Sequence, residues 1–217
     1  SIGTVIIFHG YSGEKSSMLD KAGVFLDLGY SVLLVDFMGC GGSEGTQTTL
    51  GYYEAIEVLS AFNYIVDSGE KNIFLFGTSM GAVAIMKAIA DYGISPNGII
   101  LECPFGSMYE TVCARFKKMS IPSFPMAGLL VFWGGIQNNF WAFSHKPTNY
   151  AKSIESPTLL LHGAKDESVS LKEINEIYKN IDFNKQLIIY ENAGHENYLN
   201  KYSSKWKQDV SDFLQNI

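Results

Sequence analysis

The sequence has few cysteines, no long run of basic residues and no apolar stretch long enough to cross a bilayer. Its three cysteines, Cys40, Cys103 and Cys113, are an odd number at irregular spacings, and no CxxC pair or His/Cys cluster suggests a zinc site. We interpret them as free thiols, which favours a reducing compartment such as the cytoplasm. The longest nearly apolar stretch, Met126–Trp133, is too short for a transmembrane helix.

Acidic residues outnumber basic ones, giving a formal net charge of −6. This charge, without any basic run, argues against nucleic acid or another polyanion as a partner. With 217 residues, 47% of them hydrophobic, the chain is predicted to form one globular domain over residues 1–217. Because Thr4–Phe8 already has the pattern of a core strand, we expect further chain before Ser1, and an exported or anchored form stays open.

Short apolar runs alternate with segments of helical periodicity. Six runs without alternating polar residues are typical of strands buried on both faces of a parallel sheet; they are Thr4–Phe8, Ser31–Val35, Asn72–Phe76, Gly98–Leu101, Thr158–Leu161 and Gln186–Tyr190. The helical segments between and after them are Ser16–Leu28, Leu50–Val66, Met80–Tyr92, Leu171–Asn180 and Ser203–Leu214. The alternation predicts an α/β fold with a doubly wound, mostly parallel sheet covered on both sides.

One connection is much longer than the others. Residues 103–156, between the fourth and fifth strands, form an insertion rich in aromatic side chains, and connections of that length are often functional. The aromatics either line a pocket from above, as a lid does, or pack over the edge of the sheet. On the first interpretation Phe105, Trp133 and Trp141 are candidate substrate contacts.

The sequence Gly77-Thr78-Ser79-Met80-Gly81 contains a G-x-S-x-G motif. It follows a predicted strand and opens a predicted helix, which is the context of a nucleophile elbow. Glycines on either side tolerate the sharp turn, and the serine hydroxyl projects above the carboxyl edge of the sheet. Ser79 is therefore the candidate nucleophile. The alternative is that Ser79 is an ordinary helix N-cap.

A serine hydroxyl needs a base to take its proton. Of the four histidines, His195 is best placed, because it lies in a loop after the last predicted strand. His9 and His162 each follow a strand in a His-Gly pair and are expected to hold their loops by hydrogen bonds. His145 lies in the insertion and has no partner that the sequence identifies.

The base in turn needs an acid to fix its tautomer. Asp166 follows the fifth strand and gives the chain order serine, acid, histidine. Glu102, at the end of the fourth strand, is the rival acid, and Glu167 is expected to point outward.

Two backbone N–H groups are candidate donors to an oxyanion. One belongs to Met80, directly after the candidate nucleophile, and the other to Tyr11 in the glycine turn His9–Gly13. The alternative is that this turn is purely structural. The glycine-rich segment Asp36–Gly45 has neither a dinucleotide fingerprint nor a P-loop lysine, and we interpret it as a structural turn near the pocket.

Together these motifs resemble the α/β-hydrolase superfamily of serine hydrolases over nearly the whole chain. They are His9-Gly10, Asp36–Gly45, Gly77–Gly81, His162-Gly163-x-x-Asp166 and Gly194-His195. The segments Leu101–Ser107 and Pro147–Tyr150 resemble the BEM46/ABHD13-like and peptidase-S9-like branch. The resemblance implies an eight-stranded sheet, of which six strands are visible here.

The expected activity is hydrolysis of an ester of an apolar or aromatic small molecule by the triad Ser79, Asp166 and His195, without cofactor or metal. Thioesters and amides remain open, and the absence of an evident basic lining argues against strongly anionic substrates. One alternative is a non-catalytic protein that binds a small ligand on a hydrolase fold. Another is a membrane-associated lipid or acyl hydrolase whose insertion contacts lipid, although membrane contact is not favoured.

Overall fold

Six parallel strands form the centre of the computed structural model, which describes all residues from Ser1 to Ile217. Their order across the sheet is β2-β1-β3-β4-β5-β6. The strands are β1 (Thr4–Phe8), β2 (Ser31–Val35), β3 (Ile73–Thr78), β4 (Gly98–Glu102), β5 (Thr158–Gly163) and β6 (Lys185–Tyr190). The predicted doubly wound parallel sheet is thereby confirmed.

Helices cover both faces of the sheet. They are α1 (Leu19–Asp27), α2 (Glu54–Asp67), α3 (Met80–Tyr92), α4 (Met108–Lys118), α5 (Met126–Gln137), α6 (Pro147–Tyr150), α7 (Leu171–Asn180), α8 (Tyr198–Lys201) and α9 (Ser203–Gln215), with short 3-10 turns at Lys15–Met18, Ala142–Ser144 and Ala151–Ser153. Helices α2, α3 and α7 contribute to a core cluster of 29 buried residues, and α1 and α9 to a second cluster of 21. The burial of apolar side chains on both faces is what stabilises a parallel sheet.

The two outer strands differ from the prediction that all six are buried on both faces. Strands β2 and β6 are only partly buried, whereas β1, β4 and β5 are buried throughout. The reason is their position, because each outer strand has a neighbour on one side only. An apolar run therefore identifies a strand without telling whether it lies at the edge.

Helix α2 begins four residues later than the periodicity predicted. Leu50 and Gly51 have φ values of 55° and 94°, which no α-helix accommodates. The Glu54 carboxylate accepts hydrogen bonds from the backbone N–H groups of Thr49 and Gly51, at 2.8 and 2.9 Å. These bonds fold the preceding segment into a turn and fix the start of the helix.

The segment 103–156 has a small core of its own. Four side chains on α4, on α5 and in the turn after them form a buried cluster: Val112, Ala127, Val131 and Ala142. Two hydrogen bonds join the segment to the loop before α2 and to its start: His145 Nε2 donates to Leu50 O at 2.9 Å, and Tyr53 Oη donates to Asn138 O at 2.8 Å. None of the helices is both long and apolar enough to traverse a bilayer.

Candidate active site

Three side chains meet at the edge where the parallel strands end. Ser79 directly follows β3, Asp166 lies in the loop after β5, and His195 lies in the loop after β6. His195 Nδ1 is 2.7 Å from Asp166 Oδ2, and His195 Nε2 is 3.1 Å from Ser79 Oγ. The structure thus places the three predicted residues in one continuous chain of hydrogen bonds.

Ser79 occupies a strained backbone conformation between β3 and α3. Its φ of 51° and ψ of −109° are rare for a residue with a side chain and cost about 1–3 kcal/mol. The flanking glycines are required, because a Cβ on Gly77 would lie 2.5 Å from Ala82 N and one on Gly81 would lie 2.5 Å from Phe8 O. The Ser79 side chain makes no capping hydrogen bond, so the N-cap interpretation is wrong.

Asp166 is held from three directions. In addition to the His195 contact on Oδ2, its Oδ1 accepts hydrogen bonds from the backbone N–H groups of Ser168 and Val169, at 2.8 and 2.9 Å. Burial alone would raise the pKa of this carboxyl group. The bonds from His195 and from the two N–H groups outweigh burial and lower the pKa below its ordinary value. The side chain is therefore an anion at neutral pH with a fixed orientation.

The rival acid, Glu102, has a different set of partners. Its side chain is fully buried, with Oε1 accepting from Trp206 Nε1 at 2.6 Å and Oε2 lying 3.2 Å from Lys21 Nζ. The Thr78 hydroxyl donates to the same Oε2 at 3.1 Å. Glu102 thus joins α1 and α9 to the sheet beneath the site and makes no hydrogen bond to His195. Glu167 is exposed, as expected.

The environment of His195 includes a residue that no sequence motif indicated. Cys103 is buried, and its Sγ lies 4.0 Å from His195 Nε2. Burial by itself lowers the pKa of His195, but the neighbouring Cys103 thiol and the hydrogen bond to Asp166 together raise it above its ordinary value. Atoms that could bind a metal ion lie within 4.8 Å of one another on Cys103, Asp166 and His195. Two of those atoms already form the hydrogen bond between Asp166 and His195.

The other three histidines have structural surroundings. His9 Nδ1 donates to Gly10 O at 2.8 Å, and its Nε2 accepts from Phe37 N at 3.1 Å. His145 bonds to the Leu50 carbonyl, and burial lowers its pKa to about 4, so it is neutral at pH 7. His162 is buried with neither ring nitrogen hydrogen-bonded, so the expectation that it holds its loop by hydrogen bonds is wrong.

The two expected oxyanion donors both lie beside Ser79 with their N–H groups unpaired. Met80 N and Tyr11 N donate to no backbone or side-chain acceptor in the structure. The glycine turn approaches closely, because a Cβ on Gly10 would lie 3.6 Å from Ser79 Cβ. Free N–H groups at this position are what stabilisation of a tetrahedral oxyanion requires.

The glycine-rich segment after β2 is a turn organised by one carboxylate. Asp36 Oδ2 accepts from Gly42 N at 3.0 Å and lies 2.8 Å from Lys15 Nζ, while Oδ1 accepts from Lys15 N at 2.6 Å. These bonds use the acceptor capacity of Asp36 within the protein, in keeping with the structural interpretation of this segment.

A cavity of about 490 Å³ opens above Ser79. Phe105 lines it, whereas Trp133 and Trp141 do not line it and are 56% and 59% exposed. The structure therefore brings one of the three expected substrate contacts to the site. The physical reason is that the cluster beneath α5 takes up the inward face of the helix, so Trp133 lies on the outward face.

The expectation that the cavity has no basic lining is wrong, because Lys21 and Arg115 both line it. Arg115 and Tyr11 border in addition a smaller, mostly apolar pocket of about 190 Å³. This side pocket runs between α4, α5 and the loop before α2, and its walls include Leu50, Val131 and Phe140. A cavity at Ser79 with an apolar side pocket suits a ligand that has an apolar arm.

Known proteins resemble this chain in sequence and in structure. The family model Hydrolase_4, described as "Serine aminopeptidase, S33", matches residues 1–148. The uncharacterized protein YqkD of Bacillus subtilis is 28% identical over 218 residues, which cover 99% of this chain and 72% of that protein. ABHD12B of Homo sapiens is 28% identical over 97% of this chain and 60% of its own length.

The lysophosphatidylserine lipase ABHD12 of Mus musculus is 26% identical over 80% of this chain and 44% of its own length. This chain thus spans about half the length of the matching animal relatives. The Pyrococcus furiosus esterase Pf2001 superposes with a TM-score of 0.83 at 26% identity, over all of this chain and 82% of that one. Because the family model covers more than half of the residues and includes the elbow, the chain belongs to the Hydrolase_4 family and is an α/β hydrolase of the esterase/lipase type.

Proposed function

We propose that this protein hydrolyses a carboxylic ester of an apolar or aromatic acyl group, with Ser79 as nucleophile, His195 as general base and Asp166 as orienting acid. The observation that carries the proposal is the chain of hydrogen bonds from Asp166 through His195 to Ser79, at 2.7 and 3.1 Å. Esterase neighbours in structure and lipase relatives in sequence support an ester over a peptide.

The reaction has two steps. Ser79 Oγ attacks the carbonyl carbon while His195 Nε2 takes the hydroxyl proton, and the N–H groups of Tyr11 and Met80 stabilise the oxyanion. The intermediate expels the alcohol, which leaves with the proton from His195. Water then attacks the acyl-enzyme with His195 again as base, and the acid is released while the proton returns to Ser79.

The position of the side pocket supports an apolar acyl chain as the part of the substrate that binds there. It begins at Tyr11, one of the two proposed oxyanion donors, so a chain attached to the reacting carbonyl reaches it directly. Mammalian relatives bear the name lysophosphatidylserine lipase, and a monoacyl lipid is accordingly a candidate substrate.

Labelling with a fluorophosphonate probe tests the proposal. We expect the wild type to be labelled at Ser79, the Ser79→Ala variant to remain unlabelled, and the control Ser60→Ala, on the exposed face of α2, to be labelled like the wild type. A folded wild type that is not labelled would contradict the proposal and favour the alternative of a non-catalytic protein that binds a small ligand.

A second candidate function, a membrane-associated lipid hydrolase, has one observation in its favour. The outward face of α5 and the residues beside it expose several large apolar side chains: Phe124, Met126, Leu129, Leu130, Trp133, Ile136 and Trp141. Such a face suits contact with a lipid surface. Co-sedimentation with phosphatidylcholine vesicles tests this function. The double variant Trp133→Ser/Trp141→Ser should bind less, and unchanged binding would contradict lipid contact through this face.

A further inference from the structure

Arg115 is the one arginine among the 16 basic residues of the chain. It lies on α4, is exposed, and borders both the cavity above Ser79 and the apolar side pocket. Its guanidinium carbon is 4.4 Å from the centre of the Tyr11 ring. This stacking orients the planar group and leaves its N–H edges available to a ligand.

No protein acceptor uses those N–H groups. Arg115 takes part in none of the six ion pairs of the structure, and its side chain donates no hydrogen bond. The other charged groups at the cavity are compensated: Lys21 pairs with Glu102 at 3.2 Å, and Glu196 pairs with Lys201 at 2.7 Å. Arg115 is therefore the unpaired cation at the mouth of the cavity.

The neighbouring basic residues of α4 lie in different surroundings. Lys117 and Lys118 line a separate depression together with the carboxylates of Asp166, Glu167 and Glu173. Acidic side chains thus lie in the same depression as these two lysines, whereas the one acidic side chain at the cavity of Arg115, Glu196, is paired with Lys201. This difference makes Lys118 a matched control for the effect of overall charge.

We propose that Arg115 selects substrates whose alcohol part carries an oxyanion, a phosphate or a carboxylate, near the ester bond. The inference rests on the proposed function and assigns to it a class of substrate. The acyl chain enters the side pocket, the reacting carbonyl lies at Ser79, and the anionic group pairs with the Arg115 guanidinium. A guanidinium offers paired N–H donors that match both kinds of oxyanion.

Three esters with one octanoyl chain, all used below their micellar concentrations, test the inference. They are 1-octanoylglycerol, which is neutral, 1-octanoylglycerol 3-phosphate, which carries a phosphate, and 3-O-octanoylglycerate, which carries a carboxylate. Arg115→Gln should lower kcat/KM at least tenfold for one or both anionic esters and less than twofold for the neutral one. The effect should shrink with added salt, because an exposed pair is screened. Which anionic ester responds more identifies the preferred group.

Arg115→Lys and Lys118→Gln complete the design. Arg115→Lys keeps the charge and should retain part of the preference, and Lys118→Gln should leave all three rates within twofold. Equal losses on all three esters would overturn the inference, because Arg115 would then act only by holding Tyr11. The same loss of preference in Lys118→Gln would overturn it too, since net charge alone would explain the result.

The two proposals fail in different ways. If the wild type is labelled at Ser79 and hydrolyses the neutral ester while Arg115→Gln leaves the ratio of rates unchanged, this inference is wrong and the proposed function stands. If a folded wild type is not labelled and hydrolyses none of the esters, the proposed function is wrong and the inference falls with it.

Discussion

Replacing Asp166 by asparagine should reverse the direction of the hydrogen bond to His195. In the structure Asp166 Oδ1 accepts from the N–H groups of Ser168 and Val169, and Oδ2 faces His195 Nδ1. In the Asp166→Asn variant the amide oxygen keeps the two backbone bonds, so the NH₂ group faces Nδ1. Nδ1 must then accept, and the imidazole proton moves to Nε2.

That tautomer cannot take a proton from Ser79 Oγ, which lies 3.1 Å from Nε2. We expect kcat to fall by about 10⁴-fold, equivalent to about 5 kcal/mol, the scale known for loss of the correct tautomer in serine hydrolysis. The assay is steady-state hydrolysis of 4-nitrophenyl butyrate at pH 8, with circular dichroism to show that the variant is folded.

Two further carboxylates serve as comparisons. Glu167→Gln removes an exposed neighbour and should keep activity within twofold, while Glu102→Gln tests the rival acid. A kcat for Asp166→Asn within tenfold of the wild type would refute the reasoning. So would a loss in Glu102→Gln larger than that in Asp166→Asn.

Three other perturbations have defined outcomes. Because the base must be neutral and the pKa of His195 is raised, kcat/KM should increase with pH, with a midpoint above 6.5. The Cys103→Ser variant should move that midpoint downward. An unmoved midpoint would exclude an influence of the Cys103 thiol on the pKa of His195. Lys21→Met leaves Glu102 buried without its cation, which should lower the free energy of unfolding by about 3–5 kcal/mol and Tm by about 6–20 °C in a thermal melt. The double variant Lys21→Met/Glu102→Gln should recover part of the lost stability. No recovery would contradict the broken ion pair as the cause. Gly134 lines the side pocket, and a Cβ there meets no atom within 4 Å, so Gly134→Leu should shorten the preferred acyl chain without lowering Tm. In the wild type, kcat/KM should increase up to about fourfold per added methylene until the pocket is filled. Identical chain-length profiles for the variant and the wild type would contradict binding of the acyl chain in the side pocket.

Much of this fold can be predicted because its strands carry a strong local signal. The apolar runs Thr4–Phe8 and Ser31–Val35 coincide with β1 and β2. At β3, β4 and β5 the strands continue beyond the apolar run, to Thr78, Glu102 and Gly163. The reason is that pairing with neighbouring strands, rather than hydropathy, determines where a parallel strand ends. Those extra residues bring the loops of the site together.

The residues around Ser79 were predictable to different degrees. Ser79, Asp166 and His195 follow strands in an expected order, so sheet topology alone brings them to one edge. Trp133 was misplaced because helical periodicity cannot tell which face of an isolated apolar helix turns inward. Arg115 was missed, although the presence of a single arginine in the aromatic insertion was a usable signal.

The segment 103–156 has its own small cluster of four buried side chains, against 29 and 21 in the clusters on either side of the sheet. Regions with little buried apolar surface open at lower free energy than the core they rest on. We therefore expect hydrogen exchange to be faster in α4 and α5 than in the central strands. On this expectation, local opening of α4 and α5 exposes one wall of the pocket without disturbing the strands that position Ser79, Asp166 and His195, so exchange of a bulky ligand would not require global unfolding.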